Sequence, residues 1–181
     1  MAKLPLIERA DLDAQGQAIY DTLLGPRDGL SGMYRTLMNH PVLAQHIGQL
    51  GTYVRHESEL AGDLRELGIL ATARCIGAPF VWEKHIAPAE RAGLPQQVIQ
   101  QVLSGDLASA TMKPLYLNTW QVAQDVAYQR GIAETTQQAL IDEIGVQGLL
   151  DLVMACGMYR MISTVIFSFD VPLPEAGEAP F

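Results

Sequence analysis

The chain of 181 residues lacks the short patterns that usually mark metal, nucleotide and hydrolase sites. There is no His-Glu-x-x-His, no Cys/His cluster at zinc spacing, no Gly-x-Gly-x-x-Gly after a strand pattern and no Gly-x-Ser-x-Gly elbow. Zinc, dinucleotide and serine-hydrolase chemistry are therefore without support, and a site with no cofactor and no metal is the expectation. The glycine-rich stretch GPRDGLSG has no Gly-Lys-Ser/Thr ending and follows no strand pattern, so it reads as a loop. Cysteine is scarce: Cys75 and Cys156 lie far apart inside apolar runs, as free buried thiols do in a reducing compartment. Basic residues are few, 12 against 20 acidic ones for a formal charge of −8, and no Lys/Arg cluster exceeds two residues. This argues against a nucleic-acid partner, and none is expected. The opening MAKLPLIERADLDAQ contains no apolar run long enough for a signal-peptide core, which makes a cytoplasmic location the expectation. Strand signals are missing too, apart from the ambiguous run STVIFSF.

What is present is helix pattern. At 49% hydrophobic residues, a chain of this length can close one core without disulfide or metal staples, so 1–181 is expected to form a single all-α domain. Helical spacing runs from Asp11 to Gly25-Pro26, and a short helix is predicted over Met33–Met38. Pro41 suits the first turn of a helix reaching about His56. Ser58 is the expected cap of the next, Glu59 to about Ile76, closed by Gly77. Its second half, LGILATA, carries no charge and must be buried on more than one side. A helix from Pro79 ends near Gly93, with Pro88 predicting a kink or break. Further helices are predicted from Pro95 to Leu103, Lys113 to Gly131, Glu134 to Ile144 and Val146 to Phe169.

The last of these, VQGLLDLVMACGMYRMISTVIFSF, resembles a membrane span in hydropathy, but Asp151 and Arg160 interrupt it and no charge-free stretch is long enough to cross a bilayer. No membrane association is expected. Its apolar residues do not keep to one stripe, which predicts cover by other helices on one side and by a second copy of the chain on the other. The Pro-rich tail, 170–181, is expected to be extended.

Among the titratable residues, His40, His46 and His56 fall at loop or helix-end positions with no acid or thiol at ligand spacing. His85 differs. The helical face it occupies also carries Ala78, Val81 and Trp82, and an imidazole on an apolar face needs a hydrogen-bond partner. Glu66, on the preceding helix beside Ile69, Leu70 and Ala73, is the natural supplier, since a turn at Gly77 would pack the two helices antiparallel. Two readings follow. Burial raises an acid's pKa and a carboxylate raises a neighbouring imidazole's, so such a pair is suited to proton transfer; alternatively it satisfies two polar groups within a helix interface.

The run LRELGILATARCIGAPFVWEKHIAPAERAGLP resembles the core motif of the carboxymuconolactone decarboxylase family, whose members include the AhpD-type alkylhydroperoxidases. The resemblance rests on Leu64-Arg65-Glu66-Leu67, on the Trp-x-x-His step of Trp82 and His85, and on Arg91-Ala92-Gly93-Leu94, within a core of about 59–105. LMNHPVLAQHIGQLGTYVRHES and SFDVPLPEAGEAPF resemble a longer subgroup of the same family. It implies an all-α, AhpD-like helical bundle that assembles as a homo-oligomer, a trimer or a hexamer.

In the hydroperoxidase branch a Cys-x-x-Cys pair stands where this chain has Ala78 and Val81. Peroxide reduction there needs an attacking thiolate and a resolving thiol, and Cys75 lies too early to replace either. The remaining Glu66 and His85 resemble the decarboxylase side of the family. On that side a small carboxylated lactone, of the kind met in aromatic degradation, loses carbon dioxide without a cofactor, in lyase chemistry. The resemblance implies His85 as proton donor or acceptor, Glu66 as its orienter, Arg74 or Arg55 as a carboxylate clamp and Trp82 as a pocket wall. The plainer alternatives are a solvated helix end for Arg55, an intersubunit pair for Arg74 and simple core for Trp82. A protein that binds a small ligand without turning it over is a third class open on the same residues.

Overall fold

The computed structural model describes residues 4–25, 29–173 and 180–181. Pro26 and the middle of the Pro-rich tail, 174–179, to which the sequence reading assigned a helix stop and an extended segment, lie outside them. Among the described residues the regular elements are helices, and strands are absent. STVIFSF is helical up to Ser168, and the fold is the expected all-α bundle.

The chain opens with α1 (Ala14–Leu24), α2 (Gly32–Leu37) and α3 (Pro41–Thr52). Asp13 caps α1 by accepting from the Gly16 N–H at 2.8 Å, and His40 caps α3 through Nδ1, which accepts from the Leu43 N–H at 3.3 Å. The helix expected to reach His56 does so in two parts, because α3 passes at Tyr53 into a π-helical turn over Tyr53–Glu57. That turn carries Arg55.

α4 (Gly62–Cys75) is the central element and packs against α5 (Pro79–Arg91), α6 (Gln96–Ser104), α7 (Pro114–Ala127) and α8 (Glu134–Ser168). Burial on all sides matches its charge-free second half: Leu67, Ile69, Leu70, Ala71 and Ala73 have 0% exposure. Its start corrects the sequence reading. The N-cap position is Ala61 rather than Ser58, whose Oγ accepts from the Leu60 N–H at 3.1 Å three residues too early, while Asp63 accepts from the Leu64 N–H at 2.9 Å in the first turn. Where α4 crosses α8, Gly68 permits the approach; a Cβ there would lie 2.7 Å from Leu152 Cδ1.

Gly77 ends α4 in the left-handed region (φ 64°), with the Ala78 N–H donating to the Ala73 carbonyl at 2.8 Å, and Pro79 starts α5 at once. Of the kink or break expected at Pro88, the break does not occur, and α5 continues to Arg91. Pro88 stands on the same side as exposed Lys84, so the Lys84 carbonyl that loses its amide partner is beside solvent rather than sealed in the core. The two expected C-terminal helices meet at a kink within α8, at Gly145 (φ 71°, ψ 172°).

By length and composition α8 could span a bilayer, yet 56% of its most apolar window is buried inside the chain's own fold. The side of α8 turned away from the bundle exposes Val146, Leu150, Met154 and Met161, at 58%, 58%, 50% and 42%.

Candidate active site

The α4–α5 hairpin brings two sequence-distant polar groups together. Glu66 and His85 are nearly excluded from solvent, at 3% and 6% exposure. His85 Nδ1 lies 2.7 Å from Glu66 Oε2, and the other carboxylate oxygen accepts a longer contact from Arg65 Nε at 3.4 Å. The His85 ring also stands edge-on to Tyr159 of α8, with centroids 4.6 Å apart and planes at 83°. A carboxylate on one side and an aromatic ring on another fix the imidazole in orientation.

Burial by itself pushes the Glu66 carboxyl up. The hydrogen bond and charge of His85, with the guanidiniums of Arg65 and Arg55, outweigh that cost and hold the carboxyl below its ordinary value. Burial does not prevail at this acid, and Glu66 is ionised at neutral pH. An ionised carboxylate only accepts, so His85 Nδ1 is the donor and its proton exchange is left to Nε2. Nε2 has no hydrogen-bond partner among the described residues.

His85 lines a cleft of about 780 Å³ between α5, the π-helical turn, α2 and the second half of α8. Arg55 lines the same cleft and makes no ion pair or hydrogen bond among the described residues, although its charge acts on Glu66 and Tyr159. Glu66 stands behind the cleft wall and reaches it only through the imidazole. Tyr159 lines the cleft, and burial raises its hydroxyl far above the ordinary tyrosine value, so it stays neutral.

Of the five residues proposed from sequence, Glu66, His85 and Arg55 come together and two do not. Arg74 is no clamp for this cleft. Its Nε donates to the Leu103 carbonyl at 2.7 Å, tying α4 to the end of α6, and its guanidinium lies over the Phe181 ring at 5.0 Å. Trp82 is no wall of this cleft either; it is 2% exposed and packs edge-on against Phe181, with centroids 5.5 Å apart. Sequence reasoning missed Tyr159, Lys84 and Arg91. Phe80, Lys84, Ala87 and Arg91 recur at helical spacing and all line the cleft, a stripe that could have been read from the sequence. The two positions taken by thiols in the hydroperoxidase branch are Ala78, at 0% exposure, and Val81, at 3%. Burial pushes the thiols that do exist away from reactivity: Cys75 upward and Cys156 up to about 12. Among the described residues no group of His, Cys, Asp and Glu could hold a metal ion.

No known family profile matches the chain, and no curated protein matches its sequence. Among solved structures, that of a cysteine-to-alanine variant of the debrominase Bmp8 in complex with 2,3,4-tribromopyrrole is similar, with a TM-score of 0.77 at 11% identity. The likeness covers 99% of this chain and 94% of that one. It establishes a shared helical fold.

Because the folded-state pKa of Glu66 is depressed, its ion pair contributes stability above the unfolded value of about 4.5 and loses that contribution as pH falls through the folded value. Glu66→Gln is expected to lower unfolding stability at pH 7 by roughly 1–3 kcal/mol, and the gap from wild type should shrink below about pH 4.5. Urea titrations at the two pH values measure it. An equal gap at both would show that the pair is not ionic.

Proposed function

We propose that this chain is a carboxymuconolactone decarboxylase-like enzyme carrying out cofactor-free proton transfer and decarboxylation on a carboxylated lactone or related metabolite. The observation that carries the reading is that His85, held by Glu66 behind it, lines a cleft shared with Arg55, which has no carboxylate partner among the described residues. An unpaired guanidinium beside an oriented imidazole meets the needs of this reaction. Arg55 holds a substrate carboxylate. The bond to the departing carboxyl breaks, carbon dioxide leaves, and the electron pair passes into an enolate on the lactone carbonyl. A proton then reaches carbon from His85 Nε2 while Glu66 keeps Nδ1 engaged. Apolar walls lower the dielectric around both steps.

Peroxide reduction is disfavoured, because alanine and valine occupy the thiol positions and burial keeps Cys75 and Cys156 protonated. That the similar debrominase binds tribromopyrrole supports a small-molecule site in this fold. Two free cysteines suit the reducing cytoplasm, where we place the protein. For partners, we propose a small molecule and further copies of the same chain, as a trimer or hexamer, without nucleic acid or membrane. The exposed apolar row of α8 supports self-association.

Ultraviolet-monitored turnover of γ-carboxymuconolactone and related carboxylated lactones tests the chemistry. His85→Ala should lower kcat by roughly 10²–10⁴-fold, and Arg55→Ala should act mainly by raising KM. Binding without turnover by any member of the panel would instead make the chain a binding protein. Sedimentation tests the assembly: the wild type should run as an oligomer that Leu150→Glu with Met154→Glu dissociates into folded monomers. A monomeric wild type would refute self-association.

A further inference from the structure

The cleft has a polarity along its length. On α5 its lining runs from Phe80 through His85 to Arg91, a distance of roughly 16 Å by helix rise. Two contacts set α8 antiparallel to it. A Cβ on Gly32 would touch both Val171 Cγ1 at 3.0 Å and Phe80 Cε2 at 4.0 Å, which puts the start of α5 beside the chain that leaves α8. Further along, the His85 ring meets Tyr159, seven residues before Ile166 in α8. The Phe80 end of the cleft is therefore the end of Ile162, Ile166 and Met33, all apolar. From His85 onward the lining gains cations: Arg55, whose charge acts on Glu66 and Tyr159, and Arg91 at the far end of α5, beside Ala87, Pro88 and Met158. Lys84 also lines the cleft, and Glu83 is the single acidic side chain there among the described residues; both stand between Phe80 and His85 on α5. In a protein of net charge −8, three cations against one carboxylate make this cleft a local reversal of sign.

Its size points the same way. A cleft of about 780 Å³ lies in the upper part of the roughly 300–1,000 Å³ range that accommodates drug-sized ligands. A compact dicarboxylated lactone would fill only part of a cleft of this size.

We infer that the ligand is an amphipathic carboxylate, with its anionic head between Arg55 and Arg91 and an extended apolar tail between Phe80, Ile162, Ile166 and Met33. His85 stands at the junction of head and tail. This rests on the proposed use of Arg55 as carboxylate clamp and narrows the substrate class of the same site to acids or lactones bearing an apolar substituent.

Binding of an inert series tests it apart from turnover: butanoate, hexanoate, octanoate, 1-octanol and the compact dicarboxylate succinate, titrated calorimetrically into the wild type. Each buried methylene is worth at most about fourfold in affinity, so octanoate should bind at least tenfold more tightly than butanoate, and succinate no better than butanoate. Octanoate should also bind more tightly than 1-octanol, and Arg55→Ala should remove that preference while leaving 1-octanol affinity unchanged. Ile166→Asn should flatten the chain-length dependence, and because the wild-type series carries the result alone, a variant that fails to fold does not obscure it. Affinity independent of chain length, or succinate binding as tightly as octanoate, overturns the inference. If the series behaves as expected but no lactone is turned over, the decarboxylase reading falls and this one stands.

Discussion

The structure depends on a charged hydrogen bond made out of contact with water. Glu66 sits on the most deeply buried helix of the bundle, where a lone carboxylate would be costly, and His85 reaches it across the α4–α5 hairpin at 2.7 Å. That bond constrains its surroundings. α4 and α5 must be joined by a turn as tight as Gly77 allows, Pro79 must start α5 at once, and Tyr159 of α8 must lie edge-on to the ring. Arg65 occupies the second carboxylate oxygen, and Arg55 approaches from the π-helical turn. The group nearest the proposed chemistry is thus also a structural group, and its geometry is maintained by packing on three elements.

With alanine at 78 and valine at 81, the pair has no thiol at those positions to act on. In a dithiol peroxidase a histidine and glutamate would serve sulfur. Here Ala78 and Val81 leave the imidazole facing a cleft with a cation at one side and apolar walls at the other. Proton movement at Nε2 and recognition of an anion are the functions proposed for the site. A protein with net charge −8 has few cations to place, and gathering three of them in one cleft is a use of scarce charge that a purely structural pair would not require.

Much of the scaffold was legible in the sequence because it follows local rules. The charge-free LGILATA segment could only be central, Gly77 and Gly93 ended their helices, and the imidazole on an apolar face required the carboxylate of Glu66. The failures are matters of direction. Val81 and Trp82 flank His85 on opposite sides of one helical stripe, and only the positions of neighbouring helices decide that Val81 faces the cleft while Trp82 faces Phe181. Arg74 follows the same logic, since its carbonyl partners at Leu103 and Ser104 lie on a helix whose placement is tertiary. The π-helical turn that aims Arg55 has no composition signal, and Ser58 shows that a good capping residue is used for a cap only if the helix starts beside it.

The most direct measurement is a ¹H–¹⁵N spectrum of the His85 ring in the folded protein at neutral pH, assigned against His85→Gln, with and without octanoate. The account predicts a proton held on Nδ1 throughout, because an ionised Glu66 can only accept, and a ligand-induced change confined to Nε2. A ring with an unprotonated Nδ1, or an Nε2 resonance indifferent to the ligand, would contradict the claim that Glu66 orients His85 towards the cleft for work.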